Sequence, residues 1–373
     1  MKTTTRLSVA SAIVLFLLPF NWSQALRSYH SGAPAQEAGQ ESQVTVPNRA
    51  PNPLYKGEQG PQRSEIEFVP LTRTVTIKFQ VQDPNGYFLP NIRRENFAVY
   101  EDGVRQKDIS VDVEHSPVSL ALLAEYGGRY HELNQTLATE LKQVGRGLLD
   151  VLVPDDKVAI FKYGSKVDTL VDFTLNRDVL EKALDQLGNP VISESNFYDA
   201  LLETLGRTHD IKGRKAIIVV SSGLDTFSKA SYQKVLESAQ QSATPIYTIS
   251  LVQAAIREST VYGETAPFAR IDWKSAEKQL EALAKASGGR SYVLGSDLEI
   301  PAIYDDIMEN LRLRYVITYV SSNPATSGPP RNIRIELIEP KTGAPLKIRD
   351  ASGKVMAAKV YVQASYIPKA AGS

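Results

Sequence analysis

The feature that most constrains this chain is an alternation running from Val118 to Tyr319. Short, continuous apolar runs are separated by segments whose apolar residues recur at helical spacing. Ser119-Leu120-Ala121-Leu122-Leu123, Lys157-Val158-Ala159-Ile160-Phe161, Ala216-Ile217-Ile218-Val219-Val220 and Thr244-Pro245-Ile246-Tyr247-Thr248-Ile249 are apolar on both faces, as buried parallel strands must be. Leu133, Leu137, Leu141, Val144 and Leu148 fall on one face of a helix. Further helices are predicted over 179–187, 198–205, 232–243, 276–286 and 303–312, and further strands over 166–173, 291–294 and 315–319. The fourth of these helices runs into Gly288-Gly289, a C-cap signal. Regular alternation of this kind predicts an α/β fold: a doubly wound, mainly parallel sheet with helices on both faces. Its binding crevice is expected at the carboxyl ends of the central strands.

The flanks read differently. Thr74 to Val81 alternates with period two, Asp83-Pro84-Asn85-Gly86 is a turn, and Phe97–Tyr100 and Ile109–Val113 are short strands around Glu101-Asp102-Gly103. A unit of about 50 residues is marginal as an independent core. Strands return at Asn332–Ile338 and Lys359–Tyr366, after a loop from Ser321 to Pro330. Residues 65–115 and 321–373 are therefore expected to build one small β-sandwich-like domain around an α/β domain at 116–320. Residues 26–64, rich in Ser, Gln, Glu, Gly, Pro and Asn, read as a flexible linker.

Residues 1–25 read as a Sec-type signal peptide. Lys2 and Arg6 precede the apolar run Leu7–Phe20, and Ser23-Gln24-Ala25 offers a small-x-small cleavage site. The implied location is secreted or periplasmic, with no stable membrane span after cleavage; the competing reading is a retained anchor. The chain has no cysteine, which closes the lipoprotein route, disulfides and thiolate chemistry. Its 42 basic and 42 acidic residues balance, so no extended nucleic-acid surface is expected.

The order of elements resembles the von Willebrand factor type A domain, and in particular the "VWFA-related" exported bacterial proteins. Four stretches carry the resemblance: Phe97-Ala98-Val99-Tyr100-Glu101-Asp102-Gly103-Val104-Arg105-Gln106, Pro154-Asp155-Asp156-Lys157-Val158-Ala159, Phe197-Tyr198-Asp199-Ala200-Leu201, and Arg214-Lys215-Ala216-Ile217-Ile218-Val219-Val220. It spans roughly Val69 to Val320. The resemblance implies a metal-ion-dependent adhesion site holding Mg²⁺ or Mn²⁺, with a first loop of the form Asp-x-Ser-x-Ser. Hard cations of this kind want carboxylate and hydroxyl oxygens in octahedral array.

Here the corresponding stretch is Glu125-Tyr126-Gly127-Gly128-Arg129. Glutamate lengthens the arm, glycine removes a hydroxyl, and arginine brings a repulsive charge toward any cation. The third loop reads Ser221-Ser222-Gly223 and lacks its carboxylate; Ser195 stands at the second-loop threonine. Glu125, Ser195, Ser222 and Asp225 remain weak metal candidates. The expectation is a degenerate site without cofactor. Arg129 could pair with Glu125 or Asp225, grip a partner carboxylate bidentately, or point to solvent. The partner-binding crevice is expected to comprise Glu125, Tyr126, Gly127, Gly128, Arg129, Ser195, Ser222 and Asp225.

Nothing else carries chemistry strongly. His30, His115, His131 and His209 lack metal-ligand spacing, the Gly-x-Ser-x-Gly elbow is absent, and Gly127-Gly128 is too short for a phosphate loop. Tyr126 and Tyr130 on the crevice loop suit a protein interface. Ala254–Trp273 reads as a long irregular stretch bordering the binding face. The leading expectation is a non-enzymatic protein-interaction module; the alternative is a hydrolase using Ser222 or a weakly bound metal.

Overall fold

The computed structural model describes residues 44–45, 55–56, 64–84, 86–188, 191–263, 267–350, 352–362 and 365–368. The expected signal peptide and most of the expected linker lie outside these residues.

The α/β half contains strands β1 (Val118–Glu125), β2 (Lys157–Tyr163), β3 (Val167–Thr174), β4 (Arg214–Ser221), β5 (Ile246–Ser250) and β6 (Ser291–Val293). They lie side by side in the order β3-β2-β1-β4-β5-β6. β2, β1, β4, β5 and β6 are parallel, with Leu122 between Ile160 and Ile218; β3 returns antiparallel to β2. Helices α1 (His131–Asp150), α2 (Arg177–Asp185), α3 (Phe197–His209), α4 (Tyr232–Gln241), α5 (Val252–Tyr262), α6 (Trp273–Ser287) and α7 (Ile300–Arg312) form the crossovers.

The period-two geometry of a strand explains the two helical layers. Leu120, Leu122, Ile160, Ile218 and Val220 face a core made with α1, α2, α5 and α7. Their neighbours Ala121, Leu123, Phe161, Ile217 and Val219 face a second core made with α3, α4 and α6. Leu137, Leu141, Val144 and Leu148, the predicted stripe of α1, are all buried in the first core. Burial of each contributes roughly 1.5–3 kcal/mol. The sheet is thus doubly wound, as the alternation predicts.

Most of the remaining strands form two sheets around one shared core. The first joins Lys359–Tyr361, Thr74–Gln82, Leu313–Val320 and Ser110–His115, with Glu65–Val69 also on Thr74–Gln82. The second joins Ser365–Tyr366, Arg331–Leu337, Phe97–Glu101 and Val104–Arg105. Val75, Ile77 and Phe79 from the first meet Phe97, Val99, Ile333 and Ile335 from the second.

Several expectations need correction. The strand expected at 315–319 as the last of the α/β domain belongs to this β core, antiparallel to Thr74–Gln82 and Ser110–His115. Its pattern shows why: Tyr315, Ile317 and Tyr319 are buried while Val316, Thr318 and Val320 are not, which suits a half-exposed antiparallel strand and not a buried parallel one. Within 26–64, Tyr55–Lys56 pairs with the edge of β6 and Val44–Thr45 pairs with Ile348–Arg349, so these residues cover sheet edges. The stretch 254–273 is not irregular: α5 occupies Val252–Tyr262 and a 3-10 turn occupies Pro267–Arg270. Its helix was obscured by Thr260, Val261 and Tyr262, which are poor helix formers.

Polar groups weld the β core to the amino ends of the parallel strands. Arg214, at the start of β4, donates to Leu311 O at 2.9 Å and to Glu114 at 3.0 Å. Gln80 and Gln82 donate to Asn310 on α7. Arg312 pairs with Asp156, both nearly fully buried. The β core therefore sits at the end of the sheet opposite the crevice.

Candidate functional site

The crevice forms where β1 and β4 run out beside each other and their chains leave in different directions. β1 ends in Glu125 and β4 in Ser221, so Glu125 reaches the loop after β4 without leaving the sheet axis. Its carboxylate is buried and surrounded by donors. Oε2 accepts from Ser222 N at 2.5 Å and Ser221 Oγ at 3.0 Å; Oε1 accepts from Ser222 Oγ at 3.0 Å and Ser195 Oγ at 3.3 Å. Ser195, Ser221 and Ser222 are themselves buried. Behind Ser221, the buried Tyr163 hydroxyl lies 2.8 Å from Ser221 Oγ. Burial pushes the Glu125 carboxyl above the ordinary carboxylate range, while the four donors hold it back. Burial and the adjacent Glu125 together push Tyr163 well up.

The structure thus brings together Glu125, Ser195 and Ser222, and adds Ser221 and Tyr163. It does not bring Asp225 to them. Asp225 accepts from Tyr198 N at 3.1 Å and from Ser228, capping the first turn of α3, where the Asn196 side chain makes no cap. Asp199 on that turn accepts from Lys229 N and Ala230 N, both at 2.9 Å, so the loop after β4 is stitched to α3. The Asp225 carboxylate is spent on this stitching.

Arg129 pairs with neither Glu125 nor Asp225. It is exposed and makes a bidentate pair with Glu194, Nε to Oε2 at 2.9 Å and Nη2 to Oε1 at 3.0 Å. Its guanidinium lies 5.6 Å from the centre of the Phe227 ring. The pair spans the crevice mouth, from the loop after β1 to the loop before α3. Gly127–Gly128 forms a short parallel ribbon with Val191–Ile192, and Gly128 O accepts from Asn134 Nδ2 at 2.8 Å. A Cβ on Gly128 would lie 2.7 Å from Asn134 Oδ1, so the glycine lets α1 dock against this ribbon. Tyr126 is half-buried under Lys162 Nζ, 4.0 Å from its ring centre; Tyr130 is half-buried against Phe268. These tyrosines pack against their neighbours more than they project.

The assembled residues offer a hard cation one carboxylate, and that carboxylate accepts from three serine hydroxyls and one backbone amide. Ser222 is fully buried, and its Oγ donates to Glu125. His115 and His209 lie at the amino ends of β1 and β4, away from this site.

Sequence reasoning missed Ser221, Glu194 and Phe227. The adjacent Ser221-Ser222 pair at a strand end was a usable signal, because successive strand residues point opposite ways and both reach Glu125 only where the strand breaks. Glu194 and Phe227 carried no signal, since their importance comes from a contact across loops.

No protein-family model matches the chain, and no curated protein matches it. Among solved structures, the chain is similar to the von Willebrand factor domain of the type V pili tip protein Mfa5 from Porphyromonas gingivalis. Identity is 11%, over 52% of this chain and 95% of that one, with a TM-score of 0.37. A von Willebrand factor type A protein from Catenulispora acidiphila matches at 11% identity over 74% of this chain and 75% of that one, TM-score 0.39. An aerotolerance-related membrane protein from Bacteroides fragilis matches at 13% identity over 52% and 98%, TM-score 0.37. The segment from Val118 to Arg312 is a doubly wound, mainly parallel α/β domain whose edge strand β3 is antiparallel.

Proposed function

We propose that the chain is an exported protein-interaction module that binds a protein partner through the rim of the crevice, without a metal ion and without catalysis. The carrying observation is the Arg129–Glu194 pair lying across the mouth beside Phe227, a phenylalanine that is 67% exposed. Ile192, also 67% exposed, stands on the ribbon next to Gly128. Exposed aromatic and arginine side chains on a rigid frame are the residue types that dominate binding energy at interfaces. The guanidinium fork matches a carboxylate in two parallel hydrogen bonds, so an acidic partner side chain can take the place of Glu194. No helix among the described residues is long and apolar enough to cross a membrane. Export itself is supported by the pattern of residues 1–25, and the mature protein should begin at Leu26.

The test is site-specific photo-crosslinking in cells that export the protein. A photoreactive residue at Phe227 or Ile192 should trap a common partner, and Arg129→Ala should abolish the product. The control position is Leu71, 91% exposed and in the β half. Equal trapping at Leu71, or indifference to Arg129→Ala, would sink this reading.

A further inference from the structure

We infer that the cleft between the two halves of the molecule, at the end of the sheet opposite the crevice, binds the carboxylate or phosphate group of a small organic anion. The cleft encloses about 530 Å³, a volume that takes a small molecule. One wall is the start of β4 with the last residues of α4, α6 and α7; the other is the β half, through Glu65, Arg314 and Val362. Pro245 and Leu311 give it apolar surface, and its charged lining is Arg214, Lys215, Arg314 and Glu65. Three cations against one carboxylate is a local excess, in a chain whose 42 basic and 42 acidic residues balance.

Nothing behind the lining cancels that excess. Glu114 accepts from Arg214 Nη2 at 3.0 Å but also from Lys78 Nζ at 3.0 Å, so one carboxylate serves two cations. Both arginines keep donors unused. Arg214 spends Nη1 on Leu311 O and Arg312 O and Nη2 on Glu114, while its Nε has no hydrogen-bond partner among the described residues. Arg314, with a side chain only 18% exposed, donates through Nη1 alone, to Glu65 at 2.6 Å; that glutamate side chain is 61% exposed. Burial, and then the neighbouring Arg314, lower the Arg214 guanidinium to about 10. An anion placed between two such guanidiniums relieves their repulsion. The helix ends that would repel an anion are already engaged. Lys215 donates to Thr208 O and His209 O at the end of α3, Arg214 covers the end of α7, and Ser287 Oγ and Gly288 N donate to Ala284 O and Lys285 O at the end of α6. What remains is a set of guanidinium donors in a partly apolar cleft. Carboxylate and phosphate oxygens share the forked geometry that such donors recognise.

Isothermal titration calorimetry on the full chain tests this. Sodium succinate and sodium glycerol 3-phosphate are the probes, with sodium chloride at equal ionic strength as control. Saturable binding of at least one probe, absent with chloride, is expected; succinate alone would identify a carboxylate ligand, and glycerol 3-phosphate alone a phosphate. Arg314→Gln should weaken binding about tenfold, the worth of one hydrogen bond to a charged group. Glu65→Gln removes the acid that competes for Arg314, and should tighten binding severalfold. The opposite signs separate an anion site from loss of folding, which would weaken binding in both variants. If Arg314→Gln does not fold, Arg314→Lys keeps the charge but loses the fork, and should bind severalfold more weakly than wild type. Silence with both probes at millimolar concentration, equal affinity in the Arg314 variant, or weaker binding in a folded Glu65→Gln overturns the proposal. The rim contact at Phe227 stands or falls on crosslinking alone.

Discussion

Asp156 ties the start of β1 and the turn before β2 to the end of α7, and removing it should be among the most damaging single changes. Its carboxylate is 3% exposed and has three partners. Oδ1 accepts from Val118 N at 2.9 Å, the first amide of β1; Oδ2 accepts from Val153 N at 2.9 Å and from the Arg312 guanidinium. Asp156→Ala leaves the buried Arg312 charge without its counter-ion, a loss of about 3–5 kcal/mol. It also orphans two amides at about 1–3 kcal/mol each. These losses overlap, because all three donors share one carboxylate, so about 4–6 kcal/mol in total is expected. Against a typical stability of about 5–15 kcal/mol, that is enough to leave a marginal protein partly unfolded. Urea unfolding followed by far-UV circular dichroism measures it, through a lower midpoint at unchanged m-value. Asp156→Ala combined with Arg312→Met should recover part of the loss, since no unpaired charge then remains buried. A loss below about 1 kcal/mol for Asp156→Ala would refute the argument, by showing that Arg312 finds another acceptor.

Other changes test the crevice. Burial raises the Glu125 carboxyl, so above the unfolded glutamate value the native state keeps a proton that the unfolded chain has lost. Wild-type stability should therefore fall relative to Glu125→Gln as pH rises out of the carboxylate range, and parallel urea midpoints between pH 4 and 8 (the span about the ordinary glutamate value) would contradict this. Millimolar Mg²⁺ or Mn²⁺ should leave the thermal midpoint unmoved, because the one carboxylate present is already saturated; a rise with metal concentration would restore the adhesion-site reading. Gly223 has φ +78°, and a Cβ there would lie 2.9 Å from Ala276 O. Gly223→Ala should thus cost about 1–3 kcal/mol in chemical denaturation and displace Ser222 from Glu125. Arg129→Ala removes an exposed pair and should change stability by less than about 1 kcal/mol, so a lost crosslink in that variant reports binding and not unfolding.

The sheet was legible because its strands are buried on both faces. Val118–Ala124 and Ala216–Val220 have no polar residue to mistake for a solvent face apart from Ser119, and length alone separates them from helices. The same rule misplaced Tyr315–Tyr319, which reads as apolar but alternates in burial. Aromatic tyrosines serve equally on a buried strand and on a half-exposed one whose hydroxyls find partners, as Tyr315 does at Leu89 O and Tyr319 at Glu101. At the crevice, the residues Glu125, Gly127, Arg129 and Ser222 were visible in order. What they do to one another was not, because a hydrogen bond between residues 97 positions apart leaves no periodic trace.

By itself the sequence determined the α/β architecture and the order of the residues that follow β1 and β4. These follow from local patterning and from residue chemistry, which need no partner to be read. Only the tertiary structure decided where each remaining charge goes. Glu125 turns inward to three serines, Asp225 caps a helix, and Arg129 leaves both for Glu194. The reason is that a buried or half-buried charge takes the geometrically nearest group able to satisfy it, and nearness between loops is set by how the strands beneath them pack.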